Sequence, residues 1–132
     1  MNNAEWQAII ETTHKTIQQI SATKGREYTR NSVDRLANFK RSARDVGVSP
    51  LVPWQIFFNK HVDSIKAFIH DEVLGHEHIM SEPIESRIDD AIIYLLLLKG
   101  LIAERHANMI KVTVEPVAVD DRAADDSEGG TP

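Results

Sequence analysis

Between Ala91 and Leu98 the chain reads AIIYLLLL, and a helix built on that run is apolar on nearly every side. Such a helix has to be surrounded, either at the centre of a bundle or by a second subunit. In a chain of 132 residues the remaining helices do not enclose it fully, so the run predicts a homo-oligomer joined through the helix over residues 83–106. A membrane span needs roughly 20 apolar residues, far more than this run supplies, so no membrane partner is expected.

Acids lead directly into this run, in the segment EPIESRIDD. At about 100° per residue, Glu82, Glu85, Asp89 and Asp90 fall on one broad helical face that Ile93, Leu96, Leu97 and Gly100 continue. Carboxylates that point toward a core have to be hydrated, paired or metal-bound, because an isolated buried charge is very costly. At this spacing they are candidate ligands for Mg²⁺ or Mn²⁺, hard cations that take oxygen donors and keep several waters. Glu82 and Glu85 are also explained as first-turn acids that complement the helix dipole. Asp89 and Asp90 lie too deep for that, and Arg87 is the evident ion-pair partner for Asp90.

Periodicity divides the rest of the chain into three more helices. The first, over 3–23, repeats Trp6, Ile9, Ile10, Thr13, Ile17 and Ile20 at helical spacing, opens on an Asn2–Glu5 capping box and is ended by Gly25. The second, over 31–46, opens on Asn31 with Asp34 three residues on, carries Val33, Leu36, Phe39, Ala43 and Val46, and stops at Gly47. The third, over 53–74, places Trp54, Phe57, Phe58, His61, Ile65, Phe68 and Ile69 on its apolar side before Gly75 breaks it. The fourth begins near Ser81, with Pro83 in its first turn, and ends near His106. The fold class is therefore all-α, a four-helix bundle-like single domain over residues 1–113. A short extended segment in VTVEPVAV and an acidic, disordered tail over 114–132 follow it.

The formal charge of −5 comes from the tail: from Glu115 on there are six acids and one base, which leaves fourteen of each (20 − 6 and 15 − 1) in residues 1–114. Cysteine is absent, which excludes disulfides, thiolate metal sites and a cysteine nucleophile and suits a reducing compartment. The first residues lack the apolar stretch of a signal peptide, so a cytoplasmic protein is expected. Within the domain, Lys24, Arg26, Arg30, Arg35, Lys40, Arg41 and Arg44 face only Glu27 and Asp34. Lys24, Arg30 and Arg35 are positioned to hold a phosphate near the start of the second helix, or else form a solvated face. Nucleic acid is the weaker reading, since aromatic residues among these cations are sparse and the domain is neutral. His61 directly after Lys60 reads as a core histidine or as half of a phosphate-binding Lys-His pair. His70, His76 and His78 in HDEVLGHEH match no defined ligand spacing and read as an exposed polar loop.

The segments KGREYTRNSVDRLANFK, PWQIFFNKHVDSIKAFI and SEPIESRIDDAIIYLLLLKGLIAE together resemble the phage and bacterial family called nucleotide modification associated domain 1, over roughly residues 24–106. The anchors are Asp34, Arg35, Asn38 and Phe39 in DRLANF, then Trp54, Lys60 with His61, and Asp90 with Tyr94 in DAIIY. The family's last motif often reads D-x-x-N-Y, and Ile93 stands here where that Asn would be. The resemblance implies a phage-type origin, residence in a host bacterium's cytoplasm, and a link to nucleotide metabolism or DNA base modification. A looser similarity is to MazG-type all-α NTP pyrophosphatases, which pair an E-x-x-E helix with an E-x-x-D helix; only the second is present here, in altered form.

Two functional classes follow. In a nucleotide pyrophosphohydrolase-like enzyme, Asp89 and Asp90 with Glu85 or Glu82 would hold Mg²⁺ or Mn²⁺. Lys60, Arg35 and Arg87 would then neutralise phosphate, and Trp54 or Tyr94 would stack the base. In a non-catalytic module the same cations and aromatics bind or sequester a nucleotide signal. A purely structural helical oligomer is a third reading. No organic cofactor is evident.

Overall fold

A computed structural model of the chain describes residues 1–30 and 32–114, which form four helices: α1 (Asn3–Thr29), α2 (Ala37–Val46), α3 (Leu51–Leu74) and α4 (Ile84–Val114). Among the described residues there is no strand. The α1 start is the expected capping box, with Glu5 N donating to Asn2 Oδ1 at 2.9 Å and Asn2 N to Glu5 Oε2 at 2.6 Å. The helix does not end at Gly25, however. It runs on to Thr29 and closes on Arg30 in a left-handed conformation, φ 52°. Gly25 instead leaves room for Arg35, whose guanidinium lies so close over it that a Cβ there would displace it.

The second helix starts later than its pattern suggests. Asn31 lies outside the described residues, and α2 opens at Leu36 without a side-chain cap. Asp34 instead accepts from Leu36 N at 2.9 Å, in a turn that precedes the helix. Gly47 and Gly75, at φ 69° and 68°, end α2 and α3 as their positions predict. The fourth helix passes His106 and continues to Val114, so residues 112–114 of the expected extended segment are helical. The remainder of that segment and the acidic tail, 115–132, lie outside the described residues.

In the middle lies α4, with α3 packed antiparallel along one side and α1 along another, while α2 bridges α1 and α3. Leu36, Phe39, Trp54 and Leu101 form the buried cluster, and Leu51, Phe57, Phe58, Tyr94, Leu97 and Leu98 pack around it. Phe39 meets Tyr94 edge-on at 6.0 Å, and Trp54 stacks on Phe58 at 4.9 Å and donates its indole N–H to Tyr94 O at 2.7 Å. Lys40 ties α2 to Glu104 of α4 at 2.7 Å and to Asp34, in the turn before α2, at 2.8 Å. Its hydrogen bond holds the Asp34 carboxyl below the usual range, against the opposing effect of burial.

The apolar stripe of the first helix is covered only in part: Thr13, Ile17 and Ile20 are half-buried, but its beginning is exposed. Trp6, Ile9 and Ile10 remain 53, 44 and 44 % exposed, although Ile9 borders a groove shared with the start of α4. No described helix is long and apolar enough to cross a membrane.

Candidate ligand-binding site

Where the four helices approach one another they enclose a cavity of about 230 Å³. From α1 come Ile20, Ser21, Lys24, Gly25 and Thr29, and Arg35 reaches in from the turn before α2. Asn38 and Phe39 belong to α2, His61 to α3, and Asp90, Ile93, Tyr94 and Leu97 to α4. The exposed wall surface is mainly apolar, and polar side chains reach it from all four helices and from the turn before α2. Ligand sites are commonly built in this way.

Most of the polar groups are held by their own neighbours. The Lys24 ammonium donates to Asp90 Oδ1 at 3.1 Å, so Lys24, not Arg87, is the ion-pair partner of Asp90. Arg35 Nη1 donates to Ser21 O at 2.7 Å, across the gap that Gly25 leaves. Thr29, buried beneath, donates to Gly25 O at 2.6 Å. Asn38 Oδ1 accepts from Arg41 at 3.4 Å. The His61 ring leans on Tyr94 at 4.8 Å between centroids, and its Nδ1 is buried without a hydrogen-bond partner. Burial pushes the His61 pKa down, Arg87 and Lys24 push the same way and Asp90 opposes them, so the imidazole is neutral at pH 7.

Of the residues singled out in the sequence, Lys24, Arg35, Asn38, His61, Asp90 and Tyr94 thus share one cavity. The others lie elsewhere. Arg30 is the exposed C-cap of α1. Trp54 is buried in the core against Phe58, which leaves it no open face for a base. Lys60 is exposed and sits over the Phe57 ring at 5.9 Å, outside the cavity lining. Arg87 turns to Glu82 at 3.5 Å and to Ser81 Oγ at 3.3 Å.

The four acids are not gathered around one point. Asp90 faces the cavity and Glu82 faces Arg87, while Glu85 and Asp89 line a separate groove against Ile9, Thr12, Thr13 and Thr16 of α1. Among the described residues, the set of three histidine or acid donors within 4.8 Å of one another is His70, Asp71 and His76. Ser21, Gly25 and Thr29 carried no sequence signal for a site, because Ser21 and Gly25 act through main-chain carbonyls and Gly25 also through a missing Cβ.

Burial, then Asp90 and Glu85, raise the Asp89 pKa above its usual value. A carboxyl raised in the folded state holds its proton more tightly there than in the unfolded chain. Its contribution to stability therefore grows as pH falls through the folded value and is complete below the unfolded value of about 3.9. At neutral pH the ionised group is a cost. Asp89→Asn is accordingly expected to raise the melting temperature at pH 7, with the gain disappearing below about pH 4, as thermal denaturation at the two pH values would show.

No protein-family model, no curated protein and no solved structure matches the chain.

Proposed function

We propose that the chain is a nucleotide-binding protein, of a phage-type kind linked to nucleotide metabolism or base modification, and that the cavity between its helices is the binding site. The observation that carries this reading is the convergence of Lys24, Arg35, Asn38, His61 and Tyr94, from separate segments, on one largely apolar cavity. Arg35 and Lys24 are exposed at its edge and suit phosphate oxygens, whereas Phe39 and Tyr94 offer ring surface within. A neutral His61 brings one donor and one acceptor, and Asn38 an amide, for the edge of a base. At about 230 Å³ the cavity falls below the roughly 300–1,000 Å³ of sites that engulf a ligand. A cavity of this size would take the base, with the sugar and phosphates left toward the cationic mouth.

Binding without turnover is favoured, because the carboxylates that a pyrophosphohydrolase would need are divided between two faces of α4. Mg²⁺ or Mn²⁺ would then arrive with the phosphates, with Asp90 as the acid nearest the mouth. A panel of nucleoside mono-, di- and triphosphates, with and without these ions, tests both points through thermal shift and phosphate release. At a hundredfold excess over Kd a ligand stabilises by about 2.7 kcal/mol, a shift of several degrees. Stabilisation with intact nucleotide is expected; released phosphate or pyrophosphate would instead support the enzyme, and no shift with any nucleotide would dismiss the site.

We further propose that the protein is a homodimer joined through α4. Ile88, Leu95, Ile102 and Met109 recur every seventh residue along that helix and stay 41, 47, 40 and 61 % exposed. A seven-residue apolar stripe is the seam of helix-on-helix pairing, and a second α4 supplies its complement by symmetry. Light scattering is expected to give twice the chain mass for the native protein and the single-chain mass for Leu95→Glu/Ile102→Glu. A monomeric native protein would contradict the interface.

A further inference from the structure

We propose that His70, Asp71 and His76, with His78 as a fourth donor, form a binding site for a first-row divalent transition-metal ion of the Zn²⁺ or Ni²⁺ kind. The residues look unpromising in linear order because Gly75 separates them, but the way α3 ends brings them together. Gly75 adopts φ 68°, its N–H returns to Glu72 O at 3.3 Å and the His76 N–H to Asp71 O at 2.9 Å. This is a helix C-terminus folded back on its own last turn. It sets His76 against Asp71, one residue along from His70.

Three imidazole Nδ1 atoms then surround one carboxylate. His70 Nδ1 lies 3.6 Å and His76 Nδ1 4.0 Å from Asp71 Oδ1, and His78 Nδ1 lies 4.0 Å from Asp71 Oδ2. These separations are too long for hydrogen bonds. They are close to the donor-donor edge of a tetrahedral site, about 3.3 Å when metal–donor bonds are 2.0–2.1 Å. Donor atoms of His70, Asp71 and His76 already lie within 4.8 Å of one another. His70 and His76 are well exposed, so a small rotation of each ring closes the remainder.

His78 shows the arrangement most clearly. Its Nε2 is 2.7 Å from Glu72 Oε1, and a carboxylate only accepts, so the proton sits on Nε2 and a neutral ring keeps its lone pair on Nδ1. That Nδ1 is buried, has no hydrogen-bond partner and faces Asp71 Oδ2 at 4.0 Å. Phe68 stacks on the ring at 4.4 Å and fixes its plane. A carboxylate that orients a histidine whose other nitrogen binds metal is a recurring outer-shell device. The negative end of the α3 dipole adds attraction for a cation. Imidazole with carboxylate selects Zn²⁺, Ni²⁺ or Cu²⁺ over Mg²⁺ and Ca²⁺, which separates this site from any hard ion carried by a nucleotide. The ion would clamp the end of α3 to the segment leading into α4.

The site shares no residue with the cavity, so it stands or falls independently of the nucleotide reading. Chelator-treated full-length protein titrated calorimetrically with Zn²⁺, and separately with Ni²⁺, is expected to bind one ion per chain. His70→Ala/His76→Ala, two exposed positions, should weaken binding at least tenfold without loss of the fold, while His14→Ala on α1 should leave it unchanged. Glu72→Gln should weaken it in the same direction, as outer-shell changes do by about 10–100-fold. Absence of saturable binding in the native protein, or equal affinity in the double variant, would overturn the proposal.

Discussion

Replacing Phe39 by alanine is expected to destabilise the protein by about 3–5 kcal/mol, measured as a fall in the denaturation midpoint. Phe39 is 2 % exposed, meets Tyr94 edge-on and lies 6.4 Å from the Phe57 ring, so three helices lose a shared contact at once. The buried cluster is small, with Leu36, Trp54 and Leu101 as its other members, and the loss is large against a typical total of about 5–15 kcal/mol. The same ring lines the cavity, so any folded fraction should also bind ligand poorly. A change under about 1 kcal/mol would mean that the core lies elsewhere.

Arg35→Ala should have the opposite profile. The side chain is exposed and contributes one hydrogen bond, to Ser21 O, so stability should hardly move. Loss of a charge-assisted contact to phosphate removes about 1.5–3 kcal/mol of binding, roughly a 10–100-fold rise in Kd. Gly25→Ala reaches the same end by another route. Its new Cβ would displace the guanidinium, the movable end of a flexible side chain, while alanine improves the helix by up to about 1 kcal/mol. The expected result is a protein as stable as the native one, or slightly more so, that binds nucleotide more weakly. Unaltered affinity in both variants would remove Arg35 from the site.

Local signals were legible in the sequence, and long-range ones were not. The Asn2–Glu5 box, Gly47 and Gly75 each act within one helical turn, and each marks an α-helix boundary where the pattern put it. Gly25 obeys a tertiary demand, the approach of Arg35 from ten residues away, so reading it as a helix stop failed. The fourth helix outran its expected end because Met109 and Ile110 extend its apolar pattern past His106, with no glycine or proline to halt it.

The candidate site divides along the same line. Residue type identified Lys24, Arg35, Asn38, His61, Asp90 and Tyr94 as polar or aromatic groups worth attention, and the packing of four helices brings them to one cavity. At about 100° per residue the four acids share one broad face, but that face is wide enough for Asp89 and Asp90 to point about 100° apart. Asp90 therefore meets Lys24 and the cavity, while Asp89 joins Glu85 in the other groove. Trp54 was expected to stack a base, but its indole N–H reaches a main-chain carbonyl of α4 and the ring belongs to the core. His70 and His76 are exposed as expected, but their approach to Asp71 is not legible in linear spacing, which does not show that a left-handed glycine turns the chain back on itself.

The central claim, that the cavity at Lys24, Arg35 and His61 holds a nucleotide, is tested most directly by calorimetric titration of the native protein and Arg35→Ala with a series of nucleoside phosphates. Saturable binding of at least one nucleotide at one site per chain, weakened 10–100-fold in the variant, is the expected result; no binding by any of the series, or equal affinity in the two proteins, would contradict it.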